Sequence, residues 1–173
     1  MLYREIVQKQ NLRLGTDTAS RPGSEFELPI LSEVAIKDQL RLALSLATTN
    51  ADVRLRIIIL NNLAFAEVIA DNPNFEEAHL YLGQMDEIMA NANEEQSLLF
   101  SGVLPHINET KVMLGAKQAR VRRDPRALAA SVKELLKIGE SDDLVESEKR
   151  SFLSHLGIVN RWIEELTANA GEA

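Results

Sequence analysis

At 173 residues, with 45% hydrophobic and 26% charged side chains, the chain is long enough to bury one core without staples and too apolar to read as disordered. It has no cysteine, which excludes disulfide frameworks, thiolate metal sites and cysteine nucleophiles and fits a reducing, cytoplasmic setting. The net charge of −7 is unevenly placed: Ile57 to Thr110 holds nine carboxylates and no Lys or Arg, whereas residues 111–139 hold eight Lys and Arg against Asp124 and Glu134, leaving −13 on the rest.

In chain order, residues 1–28 read as a flexible N-terminal arm and loop. Tyr3, Ile6 and Leu12 are apolar points on the arm, but GTDTASRPGS from Gly15 to Ser24 is a run that no regular element keeps. The first residues have no basic flank leading into a long apolar stretch, so no secretory leader is expected, and no segment is apolar enough over sufficient length to span a bilayer. From Ser32, Val34, Ile36, Leu40, Ala43, Leu44 and Ala47 recur at helical steps and predict a first helix with those residues inward. Asn50 is expected to cap a second helix from Ala51 to about Asp71, apolar around most of its circumference and therefore central.

Asn72, Pro73 and Asn74, with Glu77 three residues beyond, predict a third helix from about Phe75 to Ala90. Glu94 to Leu104 reads as a short fourth helix that Pro105 ends or kinks, and Asn108 to Arg123 as a fifth. Asp124 followed by Pro125 opens a sixth, with Leu128, Val132, Leu135 and Leu136 inward and Gly139 as its stop. A last helix carries Phe152, Leu156, Val159, Ile163 and Leu166. The expectation is an all-α bundle of about six to seven antiparallel helices over residues 29–168, with a flexible tail at 169–173.

The stretch NPNFEEAHLYLG from Asn72 resembles the opening helix of a tetratricopeptide repeat at Ala78, Leu82 and Gly83. His79 stands where that family has a large aromatic, however, and the Asn-Pro pattern does not return about 34 residues on, so the stretch is read as a generic helical hairpin. Glu76 and His79 make one E-x-x-H step, but His106 and His155 are preceded at that spacing by Val103 and Phe152. A di-metal bundle needs two such steps, so no metal site and no cofactor are expected. No nucleophile elbow, phosphate loop or calcium loop occurs, and Ser151 with His155 has no evident orienting acid, so the chain is read as non-enzymatic.

The basic window remains. Arg120, Arg122, Arg123 and Arg126, with Lys117, crowd around a predicted helix end, where guanidinium forks suit carboxylate or phosphate oxygens. Two plainer accounts compete: cations complement a helix C-terminus, and the arginines can pair with the protein's own acidic helices. The functional expectation is a protein-binding adaptor, assembly chaperone or structural subunit. It would use these five residues and the arm around Tyr3, Ile6 and Leu12 to meet a protein partner or a second copy, with no membrane contact. The alternative is a nucleic-acid-binding subunit that contacts phosphates through residues 117–126; the net negative charge and the absence of an aromatic in that window count against it.

Overall fold

The computed structural model describes residues 33–49, 51–140 and 144–170; the arm, with Tyr3, Ile6 and Leu12, and Asn50 lie outside these residues. The described residues form seven α-helices and no strand: α1 (Glu33–Thr49), α2 (Val53–Ile69), α3 (Phe75–Ala90), α4 (Glu94–Leu98), α5 (Leu104–Val121), α6 (Pro125–Gly139) and α7 (Glu146–Ala170). The all-α expectation holds. None of these helices is long and apolar enough to cross a membrane.

Helix α2 is the hub because its apolar residues leave no polar face. Ile57, Leu60, Leu63, Ala64 and Val68 are shut away from solvent, and α1, α3 and α5 cover it from three sides. The chain thus divides into two three-helix sets, α1–α2–α3 and α5–α6–α7, joined mainly where α2 meets α5. Polar side chains tie the sets internally: Lys37 of α1 reaches the buried Glu67 of α2 at 2.8 Å, and Arg41 of α1 reaches Glu77 of α3 at 2.8 Å. Burial alone would lower the Lys37 pKa, but hydrogen bonds to Glu67 and Glu33 raise it overall.

Several boundaries differ from expectation. Asp52, not Asn50, caps α2, its carboxylate accepting from the Leu55 N–H at 2.9 Å. Pro105 does not end α4; it sits in the first turn of α5, where its missing N–H costs nothing, and α4 stops at Leu98. Val34 and Leu136, expected inward, are 67% and 41% exposed because α1 and α6 lie at the margin of the bundle and bury only a narrow stripe. Helix α7 runs to Ala170, two residues into the expected tail.

The turns α1–α2 and α5–α6 are built alike. In each, a residue at φ 55°, Ala51 or Arg123, closes the preceding helix with a Schellman pair of hydrogen bonds: Asp52 N–H to Ala47 O at 3.0 Å with Ala51 N–H to Thr48 O at 3.2 Å, and Asp124 N–H to Ala119 O at 2.9 Å with Arg123 N–H to Arg120 O at 3.0 Å. The same aspartate then caps the next helix; the Asp124 carboxylate accepts from the Ala127 N–H at 3.0 Å. A left-handed conformation costs an L-residue about 1–2 kcal/mol, and glycine gives back about 0.5–1 kcal/mol of that as unfolded-chain entropy. Ala51→Gly is therefore expected to stabilise the fold by roughly 0.5–1 kcal/mol in urea denaturation, while Ala130→Gly, on the exposed face of α6, destabilises by about as much. Equal signs for the two substitutions would contradict this geometry.

Candidate functional site

The structure separates the five basic residues expected to act together. Lys117 and Arg120 follow Met113 and Ala116 around α5 and face the bundle. Lys117 is buried and donates to the carbonyl of Ala70, at the C-terminal cap of α2, at 3.1 Å. Burial, with help from the charge of Arg120, holds its pKa below the usual lysine value. Arg120 pairs with Glu165 of α7 at 2.8 Å, and both cations lie over the ring of Trp162, at 5.4 Å and 5.0 Å from its centroid. These two residues tie α2, α5 and α7 together; Lys117 is buried in doing so, while the Arg120 side chain remains 38% exposed.

Arg122, Arg123 and Arg126 are exposed, and none has an ion pair or side-chain hydrogen bond among the described residues. Among the described residues, pairing with the protein's own carboxylates therefore explains Arg120 but not the other three. Lys133 and Lys137 extend the group. They follow Arg126 by seven and eleven residues, which at 3.6 residues per turn brings all three within about 20° of one line along α6. Both lysines are exposed and likewise without an ion pair among the described residues, and the exposed Ala129 and Ala130 lie between them and Arg126. The result is a flat basic face along α6, headed by the α5–α6 turn, where Val121 is 63% exposed. Beside it, a groove of about 520 Å³ between α5 and α6 has Leu104, Val112 and Ile138 in its wall. The spacing of Lys133 and Lys137 from Arg126 is the signal in the sequence that points to them.

A second polar cluster is internal. Glu109 of α5 and His155 of α7 are each 1% exposed, with His155 Nδ1 2.5 Å from Glu109 Oε1, and the His155 ring lies 5.0 Å from that of Phe65 on α2. His106, one turn before Glu109, faces its other oxygen at 3.9 Å and Glu148 of α7 at 3.2 Å, while stacking on Phe152. Burial alone would raise the Glu109 pKa, but the facing imidazoles of His106 and His155 hold it below the usual carboxylate value. In turn Glu109 first, then Glu148, raises His106. His155 thus has an orienting acid after all, supplied from another helix. With both groups sealed from solvent, the arrangement is a clamp between α5 and α7.

His79 is exposed on α3, its Nε2 3.0 Å from Nε2 of Gln118. Among the described residues no three His, Asp or Glu side chains converge to hold a metal ion. No family model matches the chain, and no curated protein or solved structure resembles it at a significant level.

Proposed function

We propose that the chain is a non-enzymatic protein-binding subunit, working as an adaptor, an assembly chaperone or a structural part of a larger complex, and that it takes an acidic protein surface on the basic face of α6 and the α5–α6 turn. The observation that carries this reading is that Arg122, Arg123, Arg126, Lys133 and Lys137 are exposed together without an ion pair among the described residues. Charges placed this way steer and orient an incoming acidic partner more than they add affinity. The arm around Tyr3, Ile6 and Leu12 is a second contact in this proposal.

The test is fluorescence anisotropy with labelled poly-glutamate and, in parallel, single-stranded and duplex DNA. The expected result is binding of poly-glutamate, weakened roughly tenfold by the combined change of Arg122, Arg123 and Arg126 to Ala, since three surface pairs at about 0.5 kcal/mol each sum to that factor. Retention of DNA with a steep salt dependence, and indifference to poly-glutamate, would favour phosphate recognition instead.

A further inference from the structure

The face opposite in sign to α6 lies on α3. Glu76 and Glu87 are exposed and have no ion pair among the described residues; Leu80, between them, is 58% exposed, and Gly83 has open space where a side chain would stand. These four positions fall along one line of α3, since steps of four, seven and eleven residues return close to the starting direction. Glu76 and Glu87 are therefore about 16 Å apart along the axis, the same separation that Arg126 and Lys137 have on α6.

We infer that the acidic surface seated on α6 is the outer face of α3 from a second copy of this chain, an inference that rests on the protein-binding reading above. Laid side by side in the same chain direction, the two stripes match at every step. Glu76 meets Arg126, Leu80 meets the small Ala130 with Ala129 beside it, the stem of Lys133 lies over Gly83, and Glu87 meets Lys137. The alanines and the glycine let the helices approach closely, and the two charge pairs fix the register. Within one chain these residues are exposed, so neither face satisfies the other. The contact uses different patches on the two partners, so the docked pair still offers one free face of each kind, α3 on one chain and α6 on the other. Rings or filaments follow, rather than a closed two-fold dimer.

The absence of cysteine makes the test clean. Two full-length variants are made, Leu80→Cys and Ala130→Cys, each at an exposed position that the fold does not need. Mixed under mild oxidation, they are expected to form a disulfide-linked heterodimer, while neither variant alone crosslinks at a comparable rate. The unmodified chain is expected to show a sedimentation mass that grows with concentration and falls as salt is raised from about 50 mM, where surface charges are least screened. Glu76→Gln with Glu87→Gln should abolish that growth. Failure of the mixed pair to crosslink, or equal crosslinking of Leu80→Cys with itself, would overturn the inference. A strictly monomeric chain that still binds poly-glutamate through its arginines would overturn self-docking alone and leave the basic face as a site for another protein.

Discussion

Replacing Glu109 by Leu is expected to destabilise the fold by about 3–5 kcal/mol, a large share of the 5–15 kcal/mol by which a domain of this size is ordinarily stable. The cost arises on the partner that remains. His155 is 1% exposed and loses its acceptor 2.5 Å away, while the ring of Phe65 closes one side of it and no water can replace the carboxylate. His106 loses a facing charge at the same time. Exchanging both partners, Glu109→Leu with His155→Leu, removes the buried polar atoms together and should cost less than the single change, even though one more residue is altered. Urea denaturation of the two single variants and the double variant gives the comparison. A double variant weaker than Glu109→Leu would show that the pair is not coupled in this way.

Stability is expected to be highest between about pH 4.5 and 6.5 and to fall on both sides, with the same cluster responsible for each limb. Glu109 and Glu148 have pKa values below their ordinary 4.5, Glu148 chiefly through the hydrogen bond it accepts from the Val145 N–H. A lowered carboxylate stabilises fully above its unfolded value, and that contribution is lost as pH falls through the lowered folded one. His106 runs in the opposite sense. Its pKa is raised above 6.5, so its contribution is complete below that value and is lost as pH rises through the raised one. Denaturation midpoints measured across pH should show both limbs, and His106→Asn should flatten the alkaline limb and shrink the acid limb without abolishing it, because His155 still faces Glu109 and the Val145 N–H still holds Glu148. An alkaline limb unchanged in that variant would assign it to other groups.

Two helix starts that carry their own chemistry are predicted to the residue, whereas α2 starts two residues later than expected because Asp52 and not Asn50 caps it. Asn74, whose side chain accepts from the Glu77 N–H, and Asp124 with Pro125 mark α3 and α6 because cap and proline act locally. Pro105 fails as a marker because a proline fits equally after a helix end or inside a first turn. The choice here is made by the burial of Phe100 and Val103, which tuck the turn between α4 and α5 into the core. Val34 and Leu136 fail for a related reason, since periodicity fixes the direction of a stripe but not how much of it a neighbour covers.

The basic region was legible as a count and not as a surface. Lys117 and Arg120 share a helical phase with buried residues of α5, so they turn inward to Ala70, Trp162 and Glu165, while Lys133 and Lys137 share a phase with Arg126 and turn out. Helical phase, read within the charged window, separates the two groups. The Glu109–His155 clamp had no comparable mark. Its members are 46 residues apart, and only the packing of α7 on α5 brings them together.

The all-round apolar character of α2 also bears on how the molecule comes into being. A nascent chain that has emerged only through α4 can seat α1 and α3 on two sides of α2, but the side reserved for α5 still faces water. Such a half-made species is expected to be sticky, because the side of α2 that α5 covers has nothing else in that part of the chain to bury it. The two halves are therefore expected to mature together, and a break in the segment between α3 and α5 is expected to leave a first fragment with an uncovered apolar side on α2.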